Sequence, residues 1–341
     1  IVFSFMSWLL REAKANGIDH LKFIAREGFL LNRAFELIRD HPKIKAQGIE
    51  LPHGSYFLCS RRASIFAALR TPDDISRLLE RHFTGTVRGF FNYRLNLQDM
   101  KEVERKLGAK ILNRELLLPD HRGDLFNILL QVFEILAKQA SNEREALLEY
   151  GRIQGLFADK RIGIVDVGYS GSIQKALSSL LGKPLAGYYF VTDTLAIPLQ
   201  DRGSICRAYF GEFIDPEKSK LPIQRYSLLL EAVMTAPSGQ LLYFQKNNEE
   251  IEPVFREPGI SQKEFEKISL IHEGILEFIK NILDSFGSNA LDIEFPKDKI
   301  QLIYERVVKG DFDLGDLGRA LSVEDNFCGN DELSALDIYK K

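Results

Sequence analysis

The stretch richest in chemistry is Ile162-Gly-Ile-Val-Asp-Val-Gly-Tyr-Ser-Gly-Ser-Ile-Gln174. An apolar run ends in Asp166, a loop of small residues follows, and a helix is expected from Ser172. Gly168 and Gly171 let backbone N–H groups approach a ligand with no Cβ in the way. Ser170 and Ser172 flank Gly171 with hydroxyl donors, and a helix N-terminus adds partial positive charge. With Tyr169 between them, residues 162–177 read as a strand–loop–helix that cradles phosphate at the carboxyl end of a strand. No Gly-Lys-Ser/Thr follows, and Gly-x-Gly-x-x-Gly spacing is absent, which disfavours a Walker loop and a dinucleotide site. The competing reading is an ordinary tight turn whose Ser-Gly-Ser only caps the helix.

Two further turns carry charge in the same local setting. Phe23-Ile-Ala-Arg-Glu-Gly28 ends an apolar run with Arg26, Glu27 and Gly28, and Phe57-Leu-Cys-Ser-Arg-Arg62 ends another with Ser60, Arg61 and Arg62. In a parallel sheet both turns share a rim with the Asp166 loop. A rim of arginines beside a serine-rich nest suits a polyanion such as diphosphate, because each guanidinium grips two oxygens at once. The alternative is solvated charge at helix starts, although cations there oppose the helix dipole.

The elements that must position these turns follow from hydrophobic periodicity. Helices are expected over residues 3–15, 29–38, 63–69, 125–137, 172–181, 226–235, 262–285 and 300–308. Strands are expected over 21–25, 55–59, 161–166 and 187–192, with an edge strand over 204–209 and a hairpin of 241–244 with 251–255. Strand-to-helix switches in succession predict an α/β fold with a mostly parallel sheet flanked by helices. The core is expected from residues 1–70 and 156–245. Residues 71–155, with no convincing strand, read as a helical insertion or cap, either structural or a lid for acceptor recognition. Residues 246–341 read as the hairpin plus a helical C-terminal region, and the acidic segment beyond Gly310 is expected on the surface.

Composition narrows the function classes. The apolar fraction of 45% and charged fraction of 27% are those of a globular protein with a sizeable core. A net charge of −3 provides no global basic field, so no nucleic-acid partner is expected. Cys59, Cys206 and Cys328 are far apart and odd in number, which fits a reducing compartment, and no Cys/His cluster has metal-ligand spacing. No apolar run reaches the roughly 18–20 residues of a membrane span. The chain begins without Met inside a periodic apolar pattern, so further residues are expected upstream.

The Asp166 loop resembles the phosphoribosyl-diphosphate loop of type I phosphoribosyltransferases. That resemblance implies a phosphoribosyltransferase-like fold, ribose contacts from Asp166 and a 5-phosphate held by Tyr169–Ser172. The family usually has two adjacent acids, whereas Asp166 is followed by Val167. The three motifs together, spread over residues 1–194, resemble the glycan phosphoribosyltransferase domain of bacterial ribofuranosyltransferases. That domain accompanies a haloacid-dehalogenase-type phosphatase in surface-polysaccharide assembly, including O-antigen biosynthesis. Arg-Asp-Gly is expected there, and this chain has Arg26-Glu27-Gly28.

The resemblance implies a transferase moving 5-phosphoribose from phosphoribosyl diphosphate to a hydroxyl of a glycan acceptor, lipid-linked in some systems. It implies Mg²⁺ as cofactor, an upstream phosphatase domain as partner, and a cytoplasmic location peripheral to the inner membrane. No Asp-x-Asp-x-Thr phosphatase motif occurs in this chain. A carboxylate near the acceptor would act as general base, and Asp193 and Glu231 are the candidates. Two other classes stay open: a non-catalytic phosphosugar- or nucleotide-binding module, and a phosphatase or phosphotransferase with Asp166 as nucleophile.

Overall fold

The computed structural model describes residues 1–201, 203–248, 250–329 and 332–339. β1 (His20–Ile24) and β2 (His53–Phe57) are followed by β3 (Phe83–Thr86) and β4 (Glu115–Leu118), a short antiparallel pair. Then come β5 (Ile162–Asp166), β6 (Ala186–Asp193) and β7 (Cys206–Ile214). The central sheet has the order β2-β1-β5-β6-β7 and every pairing in it is parallel. Every residue of β5 and β6 is buried, as expected of parallel strands covered on both faces.

Alternation along the strands sends side chains into two apolar layers. Phe23, Val165, Tyr188 and Phe190 pack with the helices Val2–Ala15, Gly28–Asp40, Ser227–Met234 and Phe265–Phe286. Ile24, Phe57 and Ile164 pack on the other face with the helices Arg61–Ala67 and Ser172–Leu181 and with Ala146 and Leu147 of the helix Phe133–Ile153. Much of the 71–155 insertion has its own cluster, centred on Phe83, Phe90, Phe91, Leu125 and Leu129.

The α/β architecture agrees with the periodicity, and the helix Ser172–Leu181 lies where it was expected. β2 ends at Phe57, ahead of the expected 59, because Ser60 is already the extended N-cap of the next helix. The insertion does contain strands, but β3 and β4 are four residues each and carry too little period to read. The helix expected over 125–137 is interrupted at Val132, whose N–H reaches Leu129 and Leu130 carbonyls, and resumes as Phe133–Ile153. β8 (Leu241–Asn247) and β9 (Glu250–Phe255) form the hairpin. The segment beyond Gly310 corrects the surface expectation: Ala320, Leu321 and Ala335 are buried, and β10 (Ser322–Glu324) pairs with β11 (Glu332–Ser334). Its apolar residues outweigh the acidic ones ahead of them. Among the described residues no helix is long and apolar enough to cross a membrane.

One site expectation is corrected by the packing. Arg62 does not face the rim; it is 2% exposed and ties the core together. Its guanidinium pairs with Glu143 at 2.9 Å and donates to the carbonyls of Leu95 and Leu242. Arg62 therefore joins the helix Arg61–Ala67 to the insertion, to the long helix Phe133–Ile153 and to β8. Removing one member of a buried pair strands the other charge, at a cost of about 3–5 kcal/mol. Arg62→Ala should lose stability on that scale in urea unfolding at 25 °C. A loss below roughly 1 kcal/mol, the size of a surface ion pair, would contradict this role.

Candidate functional site

The chain runs outward from β1 to β2, then crosses back past β1 to β5, so the connections diverge between β1 and β5. A crevice opens at the carboxyl ends of strands at such a point. Here it is a cavity of about 370 Å³ lined by Ala25–Glu27, Cys59–Arg61 and 166–173, the three turns singled out above. That volume lies within the ~300–1,000 Å³ of small-molecule sites. A larger cavity of about 640 Å³ opens at the opposite rim beside His20 and His53, but none of the strand-to-helix turns reaches it.

The loop is shaped by close approach. Asp166 is buried, and its Oδ1 accepts the Gly168 N–H at 3.0 Å. Gly171 has φ +59°, the left-handed region, and a Cβ there would come within 2.4 Å of Leu199 Cδ1. As N-cap, Gly171 offers no side-chain cap, and Ser172 and Ile173 of the first turn line the cavity. Ser170 Oγ donates to Asp193 Oδ2 and accepts from Arg81 Nη2. Tyr169 lines the cavity and packs against the main core; its carbonyl accepts the Asp193 N–H at 2.9 Å. The Tyr169 hydroxyl is buried, and burial pushes the phenol pKa up.

Asp193 is therefore corrected from general base to loop anchor. It is 4% exposed, holds Ser170, accepts the Leu195 N–H at 2.9 Å and is not among the cavity-lining residues. Ser60 lines the cavity, while its Oγ accepts the Ala63 N–H at 3.0 Å and donates to the Leu241 carbonyl at 2.7 Å, so its hydroxyl caps the helix. Gly28 permits backbone packing, since a Cβ there would lie 2.5 Å from the Phe23 carbonyl carbon.

On the arginine side, Arg26 Nη1 meets Glu324 Oε2 at 2.6 Å, with both side chains largely out of water. Arg61 forms no ion pair among the described residues and lies over the Phe327 ring, 5.3 Å from its centroid. Glu27 Oε2 accepts the Arg26 N–H at 3.1 Å and lines the same cavity. Glu231 faces it from the helix Ser227–Met234. Burial, then the neighbouring Glu27, lifts the Glu231 carboxyl to about 7, against the pull of Arg61 and Arg26. Burial lifts Asp166 to about 6, opposed by the Gly168 N–H and reinforced by Glu27.

Arg81, Glu324 and Phe327 also belong to this site and were not anticipated. Arg81 comes from the insertion and the others from the C-terminal segment, and no local pattern marks them. Arg94, also unanticipated, fastens both: it donates to the carbonyls of Leu78, Arg81, His82 and Phe327. Among the described residues no three His, Cys, Asp or Glu side chains converge to hold a metal ion. No protein-family model matches this chain, and no curated protein matches it.

The raised carboxyls make stability depend on pH with a defined sign. Between the ordinary 4.5 and about 7, folded Glu231 holds a proton that the unfolded chain releases. The folded state then binds more protons than the unfolded one, so stability falls as pH rises through that window. Glu231→Gln removes this contribution. Urea unfolding at pH 5 and pH 8 should show a smaller pH-dependent loss in the variant; the same loss in both proteins would contradict the shift.

Proposed function

We propose that the chain is a glycosyltransferase that moves 5-phosphoribose from phosphoribosyl diphosphate to a hydroxyl of a glycan acceptor, in surface-polysaccharide assembly. What supports this reading is one observation: the Asp166–Ser172 loop and the Arg26 and Arg61 turns line a single cavity. Two anionic ends of one donor need two cradles, and the loop amides and the guanidinium groups are of different kinds. Amides of 169–172, with Arg81 beside Ser170, take the 5-phosphate, and Arg61 and Arg26 take the diphosphate. Asp166, at the foot of the loop, takes the ribose hydroxyls.

Heterolysis of the bond from ribose C1 to diphosphate oxygen leaves the electron pair on diphosphate, where Arg61 and Arg26 stabilise it. The acceptor oxygen then bonds to C1 and its proton passes to Glu231, whose carboxyl near 7 is tuned for a general base at neutral pH. Mg²⁺, which keeps several waters and uses few carboxylates, would take most ligands from the diphosphate and one from Glu27 or Asp166, and would offset charge on the leaving group. A lipid-linked acceptor would bring the chain to the inner membrane surface. A nucleophilic Asp166 is disfavoured, because its carboxyl is buried and bound to the Gly168 amide.

Incubation with phosphoribosyl diphosphate, Mg²⁺ and a panel of glycan acceptors should give acceptor-dependent diphosphate release. Donor binding without release would favour a binding module, phosphate as product a phosphatase, and no binding by calorimetry would end the donor reading. Arg61→Ala should weaken inorganic diphosphate at least about tenfold more than ribose 5-phosphate, the scale of one lost charge-assisted contact. Equal losses would contradict the division of roles.

A further inference from the structure

The C-terminal segment enters the same cavity as the donor-binding turns. Val323, Glu324, Asp325, Phe327 and Cys328 all line it. The Glu324 carboxylate sits on Arg26 at 2.6 Å, in a nearly water-free contact. The Phe327 ring lies 5.3 Å from the Arg61 guanidinium and 4.5 Å from that of Arg94. Of the two arginines assigned to diphosphate, one therefore holds a carboxylate and the other rests on an aromatic face, both from one short segment. Outside the cavity lining, Arg256 has a buried Nε with no hydrogen-bond partner among the described residues, and the Glu324 charge opposes the desolvation that lowers its pKa.

The base and the tip of this hairpin are held differently. At the base, Leu321 and Ala335 are buried, the Ala335 N–H donates to the Leu321 carbonyl at 2.9 Å, and Ser261 Oγ donates to the Ala320 carbonyl at 3.0 Å. The strands themselves are three residues each. Toward the tip, Glu324 and Phe327 meet the site's own cations. A short hairpin anchored at its base can loosen locally at Glu324 and Phe327 without unfolding the rest.

We infer that Glu324 is an internal competitor for Arg26: it stands where a donor's diphosphate binds and must be displaced for the donor to enter. This rests on the donor reading above. A carboxylate carries one negative charge and a diphosphate several, so diphosphate wins Arg26 while singly charged anions do not. Glu324 thereby acts as a specificity-determining residue, admitting ligands with a diphosphate end and keeping the cavity closed to weaker anions.

The test is titration calorimetry of inorganic diphosphate with Mg²⁺ against the wild type and Glu324→Gln, with hydrogen exchange of the peptide carrying Val323–Phe327. The variant should bind diphosphate about tenfold more tightly, the factor expected from removing a competitor that occupies the site roughly nine-tenths of the time. In the wild type, saturating diphosphate should speed exchange in that peptide. Equal or weaker binding by the variant overturns the competition and leaves the diphosphate site standing. No binding by either protein overturns the donor reading and the competition with it. Should Glu324→Gln fail to fold, the wild-type exchange decides alone: faster exchange upholds displacement, and unchanged exchange overturns it.

Discussion

The parallel pairing of β1 with β2 on one side and β5 on the other is the constraint on which the site depends. Parallel neighbours cannot be joined by tight turns, so each strand leaves through a crossover that begins at the same rim. The crossover from β1 uses the helix Gly28–Asp40 on one face, and the one after β2 starts with the helix Arg61–Ala67 on the other. Three helix-starting turns are thereby brought side by side. The register is held from within, since Lys22 is buried in β1 and bonds to Ser55 Oγ at 2.9 Å and to the Gln154 carbonyl at 2.6 Å. A slip by one residue would turn Lys22 and Phe23 to the wrong faces.

Charge is sorted by depth around this rim. Arg62 and Arg94 are almost wholly buried, and their planar forks are filled by carbonyls and, for Arg62, by Glu143. They connect layers and cannot meet a ligand. Arg26, Arg61 and Arg81 line the cavity. The carboxyls opposite them are desolvated and repelled by Glu27, so Asp166 and Glu231 hold protons further toward neutrality than usual. Fewer full negative charges then face the cavity than a count of carboxyls suggests.

The strand–loop–helix at Asp166 was legible because its pattern is local: an apolar run, an acid, then glycines and serines at a helix start. The same holds for the rim position of Arg26 and Arg61. What was not legible is what adjacent residues do once a helix turns them by about 100° each. Arg61 faces the cavity while Arg62, its neighbour, lies in the core. Ser60 and Asp193 looked available because their partners, the Leu241 carbonyl and Ser170, are distant in sequence. Arg81 and the Glu324–Phe327 stretch arrive by long-range packing through Arg94, which leaves no trace in periodicity.

A crystal structure with phosphoribosyl diphosphate bound tests the convergence of the three turns most directly. The 5-phosphate should lie against the amides of 169–172, with the diphosphate within hydrogen-bond distance of Arg26 and Arg61. A donor found in the cavity beside His20 and His53, or one whose diphosphate points away from both arginines, would contradict it.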